Sequence, residues 1–304
     1  MDFTLRRYVK LMEGLVKGGY QIFRFDNYLG EKGLITSQNG KGLILRHDVD
    51  RLPGNALEMA RLEHAMGVYG SYYFRIVLES FDPEIMREIA KMGHEVGYHY
   101  EDVDLAARIL KKQKRKMERS PGASSANAIR FGEYIEKDGT QELDTPNYEL
   151  FSLALELFEK HLEQFRKIVP VTTICMHGSP RSKYDNRSLW EYYDYRDYGI
   201  IGEPYFDVDF TKVLYLTDTG RRWDGKKYSV RDKEKKRKEG KSFLSEKYHF
   251  HSTDDIIRAA EAGGLPDQLM ITVHPQRWTD QPVLWVKEWV WQNVKNQIKR
   301  FLIR

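Results

Sequence analysis

"LILRHDVDRLPG" (residues 43–54) runs an apolar triplet, Leu43-Ile44-Leu45, straight into Arg46, His47, Asp48 and Asp50. The triplet reads as a buried strand. Such a strand ends in this much charge only where the charge is solvated, paired or bound to an ion. Working outward, the pattern recurs: "GYH" stops at His99, "TICMH" at His177, "LYLTD" at Asp218 and "ITVH" at His274. Helical patterns lie between these strands. Residues 54–67 are closed by Gly67, and 82–93 run from Asp82 and Pro83 to Gly93. Residues 147–168 and 253–264 also read as helices, the latter capped by Thr253. A terminal helix carries Val286, Val290, Val294, Ile298 and Phe301, and an amphipathic helix is expected within residues 1–20.

Strand-helix alternation predicts an α/β fold with a parallel sheet and right-handed crossovers. Six or seven units suit a closed or nearly closed barrel in one domain spanning 1–304. The C-terminal strand ends of such a barrel share one face, where its chemistry sits. Two inserted segments interrupt the alternation, at about 111–146 and 226–247. Their charge runs, "KKQKRKMER" and "RDKEKKRKEGKSF", read as solvated faces or loops.

The chain has 304 residues, 41% hydrophobic and 13% aromatic, enough for a sizeable core. Its net charge of +4 is too mild to argue for nucleic acid, and the basic tract at 111–119 lacks interleaved aromatics. Cys175 is the single cysteine, which excludes an internal disulfide and a CxxC metal knot. The N-terminal stretch lacks the apolar core of a signal peptide, and no apolar run is long enough to span a membrane. The expectation is a cytoplasmic protein without membrane or nucleic-acid partners; the oligomeric state is open.

Within "HDVD", alternation sends Asp48 and Asp50 to one side and His47 and Val49 to the other. Two carboxylates side by side call for a cation or a proton. One Asp and two His around a zinc-type ion leave a position for water, which the ion acidifies, and the second Asp can take the proton. The plainer alternative is a strand-end turn in which the carboxylates pair with Arg46 or Arg51.

"LILRHDVD", "MGHEVGYHYE" and "ITVHPQRW" resemble the polysaccharide deacetylases of the NodB-homology type, carbohydrate esterase family 4, over about residues 40–104 and 268–278. The resemblance implies an irregular (β/α)7-type barrel that removes N- or O-acyl groups from sugars with one divalent metal, usually zinc. It makes Asp48 the general base, Asp50 and His99 metal ligands, His94 a non-ligand and His274 the general acid. The chain departs from the family in two places. Val103 stands where a second motif histidine belongs, and the following Arg-Pro motif is absent. His177, in "CMHGSP", is inferred to be the replacement third ligand, with Glu101 and Asp102 as other candidates; weak or absent metal binding also stays open. Asp218, Arg222 and Trp223 in "TDTGRRWDG", with Trp278, are candidate sugar contacts, although a Gly-closed turn with surface arginines explains the first three equally well. Trp285, Trp289 and Trp291 are read as packing. The expected substrate is an N-acylated sugar or nucleotide sugar, and the activity hydrolysis of its amide. The rivals are a metal-independent amidohydrolase on the same barrel and an inactive carbohydrate-binding barrel.

Overall fold

The strand opened by Leu43 extends from Gly42 to Val49 with every residue buried, as a parallel strand covered on both faces requires. The computed structural model describes residues 1–30, 40–118, 145–178, 182–223, 244 and 247–302. In chain order its elements are α1 (Leu5–Lys17), β1 (Gln21–Phe23), α2 (Phe25–Gly30), β2 (Gly42–Val49), α3 (Pro53–Ala65), β3 (Ser71–Phe74), α4 (Pro83–Lys91), β4 (Glu95–Tyr100), α5 (Asp102–Glu118), α6 (Thr145–Arg166), β5 (Ile174–Met176), α7 (Pro204–Asp207), β6 (Leu214–Thr217), α8 (Thr253–Glu261), β7 (Gln268–Val273) and α9 (Pro282–Leu302). All strand pairings among them are parallel. The hydrogen-bonded path runs β5-β4-β3-β2-β7-β6. β1 pairs with the first half of β2, Gln21 opposite Gly42, and β3 with the second half, Arg46 opposite Ser71, so β1 and β3 share one edge. The sheet curls into a half-barrel with helices interleaved, the α/β architecture expected of an irregular (β/α) barrel.

The two-residue period of each strand sorts its side chains. Ile44 of β2 packs with Tyr73, Cys175, Tyr215 and Met270 from the other strands, and this cluster fills the concave side. Gly97 of β4 leaves room for it: a Cβ there would collide with the Tyr73 ring and lie 2.9 Å from the Thr173 carbonyl oxygen. Leu43 and Leu45 point the other way, into a cluster with Leu11 and Leu15 of α1 and Ile256 of α8. Each fully buried Leu or Ile contributes about 1.5–3 kcal/mol relative to an exposed one. His47 also faces outward. Its Nε2 lies 2.8 Å from the fully buried Glu63 carboxylate, which accepts hydrogen bonds from Tyr8 and, at 2.9 Å, from Tyr72. That network ties α1 and α3 to the back of β2 and β3. His94 accepts from Gly70 N at 3.1 Å and donates to the Ala60 carbonyl at 3.0 Å, a buried structural histidine outside the barrel mouth.

Several expectations shift. β1 and α2 were not anticipated, because three strand residues and six helical ones are too short to show a period. The basic tract from Lys111 belongs to α5 as far as Glu118, with residues 111–116 exposed, so the helix face is solvated and the insertion starts later than expected. Residues 119–144 of the first insertion and 226–243 and 245–246 of the second lie outside the described residues. Ser252, not Thr253, caps α8, and Asp255 completes a capping box. Among the described residues no helix is long and apolar enough to cross a membrane.

Candidate active site at the C-terminal strand ends

Asp48 and Asp50 leave β2 on the same side, as alternation requires, and there they part company. Arg46, two residues earlier on the same face, donates from Nε to Asp48 Oδ1 at 2.9 Å and from Nη2 to Oδ2 at 2.7 Å. Both groups are buried. Burial alone would raise the Asp48 carboxyl; Arg46, with His99 and His274, outweighs it and holds Asp48 below the usual carboxylate range. The pairing with Arg46 that seemed a plain alternative is therefore present, but it consumes only Asp48.

Asp50 has different neighbours. Gln276 donates from Nε2 to Oδ2 at 3.0 Å. Oδ1 is buried and has no hydrogen-bond partner. It lies 3.7 Å from His99 Nε2 and 3.5 Å from His177 Nε2. Burial, which would raise the carboxyl, is overcome by His177, His274, His99 and Arg277, so Asp50 stays ionised.

Each imidazole is held by its other nitrogen. His99 Nδ1 lies 2.9 Å from the Cys175 carbonyl oxygen across the β4–β5 pair. His177 Nδ1 lies 3.1 Å from Glu101 Oε2. A carbonyl and a carboxylate only accept, so both Nδ1 atoms donate and both Nε2 atoms are turned toward Asp50. Burial pushes His99 down to about 4, over the upward pull of Asp48, which keeps its ring neutral at pH 7. Glu101 is itself fixed by Arg75, whose Nε and Nη2 donate to Oε1 at 3.0 and 2.6 Å. Glu101, one of the alternative ligands, thus orients His177. Asp102, the other, is turned to His161 and Tyr98, at 2.7 and 2.9 Å.

The three unshared atoms suit a small divalent ion. Bonds of about 2.0–2.1 Å to a tetrahedral zinc place ligand atoms roughly 3.3–3.5 Å apart, near the two separations from Asp50 Oδ1. A second group within ligating distance is Asp48, His99 and Cys175, in which Arg46 already donates one hydrogen bond to each oxygen of Asp48. Carboxylate–histidine pairs such as Glu101–His177 fix ring orientation and raise basicity. Glu101→Gln should therefore weaken zinc binding by about 10-fold while leaving the fold intact; titration with a competing chelator checks this, and unchanged affinity would deny Glu101 that role.

His274, the residue after β7, faces Asp218, the residue after the neighbouring β6. Its Nδ1 lies 2.6 Å from Asp218 Oδ1 and its backbone N donates to Oδ2 at 3.0 Å. Arg277 and Trp278 add bonds to Asp218 at 2.8 and 2.7 Å. Burial and Arg277 push His274 down, but Asp218 and Asp50 outweigh them, leaving its pKa raised.

These contacts correct the expected sugar contacts. Asp218 is fully buried and holds His274. Trp278 is fully buried between Phe3 and Tyr8. Trp223 is buried too, its Nε1 donating to Thr253 Oγ1 at 2.9 Å. None of the three offers a face to a ligand. Arg222 is exposed on the loop after β6. Arg46, Glu101 and Gln276 carry the site's polar scaffolding: Arg46 was anticipated only as the plainer pairing for the carboxylates, Glu101 only as a ligand, and Gln276 not at all. The one available signal was Arg46 itself, a cation two residues before Asp48 and so on its face.

Comparison with models of known families, with curated proteins and with solved structures found no match.

Proposed function

We propose that the chain is a metal-dependent deacylase that hydrolyses the amide of an N-acylated sugar, with Asp50, His99 and His177 as the ligands of one divalent ion, most readily zinc. The observation that carries this reading is the buried, unpartnered Asp50 Oδ1 facing two imidazole nitrogens whose rings are locked from behind. When bound, such an ion acidifies water and polarises the acyl carbonyl. Asp48 is the base. Arg46 takes one lone-pair direction on each of its oxygens, and each retains another that can accept a proton. His274 is the acid, its Nδ1 anchored on Asp218 and its Nε2 left to give a proton to the departing amine. A cytoplasmic protein of this kind would meet a nucleotide sugar or glycan precursor rather than finished polymer. The test is metal content of the purified protein, followed by an acetate-release screen on N-acetylated nucleotide sugars. Protein that neither retains nor takes up zinc would sink the proposal.

The acid role has its own check. A general acid works while protonated, so activity should fall at alkaline pH as His274 loses its proton. The raised pKa extends the active range upward. In Asp218→Asn burial and Arg277 prevail, and the alkaline limb should move to lower pH. His274→Ala should keep the metal and lose far more rate on amides than on activated aryl esters, whose leaving groups depart without a proton. Equal losses on both substrates would leave His274 a positioning residue.

A further inference from the structure

Gln276 sits in the short 3-10 turn, Pro275–Arg277, that follows β7. It lies two residues after His274 and is 5% exposed. Its Nε2 donates to Asp50 Oδ2 at 3.0 Å. An ionised carboxylate only accepts, so the amide nitrogen must face Asp50 and the oxygen must turn away from it. That oxygen, Oε1, is buried and has no hydrogen-bond partner. The side-chain donors around the turn are engaged elsewhere. Asn55 Nδ2 reaches the Pro275 and Trp278 carbonyls at 3.4 and 3.3 Å, Arg277 Nη1 and Trp278 Nε1 are on Asp218, and Arg75 Nη1 lies 3.4 Å from the Asp50 carbonyl oxygen. A buried acceptor left in this way costs about as much as a lost hydrogen bond. One end of the Gln276 amide is locked on a proposed metal ligand, and the other is held out for a donor the chain does not supply.

We infer that Gln276 Oε1 accepts the N–H of the scissile amide and so selects N-acylated over O-acylated sugars. The inference rests on the deacylase reading above and gives it a specificity determinant. The polar atoms of an acylamide divide by kind. The carbonyl oxygen only accepts and belongs with the ion. The nitrogen carries one N–H, and as water adds to the carbonyl it gains a lone pair that must meet an acid. His274 and Gln276 serve that nitrogen from one turn, the first with a proton for the lone pair, the second with an acceptor for the N–H. Holding the N–H on Oε1 fixes the direction of the lone pair before the C–N bond breaks. The N–H stays on nitrogen throughout; the proton of His274 joins it, the amine departs, and the acyl carbon keeps the oxygen of the water. The attacking water has its own acceptor in Asp48, which leaves Oε1 for the substrate. An ester has no hydrogen at the bridging atom. Its oxygen sets lone pairs against those of Oε1 and leaves the buried acceptor unpaired, so the site disfavours it.

The test is a matched pair of substrates, an N-acetylated sugar and its counterpart O-acetylated at the same position. Both are given to the zinc-loaded parent protein, to Gln276→Met and to Gln276→Lys. The ester is not an activated one, so both leaving groups need His274 and the comparison isolates the N–H. Methionine removes both ends of the amide; lysine keeps a donor for Asp50 and removes the acceptor. In both variants kcat/KM for the amide is expected to fall roughly 10-fold relative to the ester. Loss of metal or of folded protein lowers both rates alike and cancels from that ratio. An unchanged ratio overturns the inference and leaves Gln276 a support for Asp50 alone. A ratio that falls in Gln276→Met and recovers in Gln276→Lys overturns it too, since the donor end would then be the cause. A parent protein that hydrolyses neither compound overturns the deacylase reading together with this inference, whereas an unchanged ratio leaves that reading standing.

Discussion

His177→Ala should abolish the proposed zinc binding. Removing Nε2 leaves Asp50 and His99 as the only protein ligands, and two ligands do not hold a tetrahedral ion in a structural-grade site. Loss of an outer partner typically weakens metal affinity by 10–100-fold, and loss of a direct ligand should exceed about 100-fold. Deacylase activity should vanish with the metal. The substitution also leaves Glu101 paired with Arg75 alone, so folding should survive and metal loss can be read cleanly. Competition against a chromophoric chelator measures the first effect, acetate release the second. Full zinc affinity in His177→Ala would return the third ligand position to another group and break the assignment built on "CMH". Asp50→Ala and His99→Ala should behave the same way, whereas Asp48→Asn should retain zinc and lose its base, lowering the rate by roughly 10²–10⁴-fold.

Arg46→Met should be the most destabilising of the single substitutions at the site. Arg46 and Asp48 are both buried, and breaking such a pair by removing one partner typically costs about 3–5 kcal/mol, because a charge is left behind without its counter-ion. The cost should depend on pH in a definite sense. In the parent protein the Asp48 pKa is depressed, so its contribution to stability is present above the unfolded value of about 3.9 and lost as pH falls through the folded one. Without Arg46, burial pushes the carboxyl up and the ionised form becomes a liability. The deficit should therefore be widest at neutral pH and narrow in acid. Chemical denaturation of metal-free protein at several pH values checks this; a deficit independent of pH would mean lost packing, not an unpaired carboxylate.

What could be read in the sequence was local. The strand tips at His99, His177, Asp218 and His274 were legible because apolar runs ending in Asp or His are conspicuous, and parallel strands must bring their ends together. Asp48 and Asp50 were legible as a pair from alternation alone. Their division of labour came only from the family resemblance; its physical basis was not legible, since it depends on Arg46 folding back along the same strand and on Gln276 arriving from the turn after β7. Trp278 and Trp223 misled for a related reason. Beside "HPQR" and "TGRR" they look like aromatic platforms near polar loops, yet Phe3, just before α1, and Tyr8, on it, cover Trp278 from more than two hundred residues away. A local reading holds no trace of that contact. Trp289 and Trp291 of α9, read as packing, are half exposed for the same reason: the sequence does not say which side of a helix the rest of the chain will meet.

The filled concave side has a consequence for traffic. Tyr73 presses on Gly97, and Ile44, Cys175, Tyr215 and Met270 pack the space below the strand ends, so among the described residues the half-barrel is a cup with a solid floor. A molecule that reaches Asp50 must come over the rim and, if it is cut, both pieces must leave by the same rim. Through such a floor no polymer threads; a chain-like substrate of the proposed deacylase would have to lie across the opening.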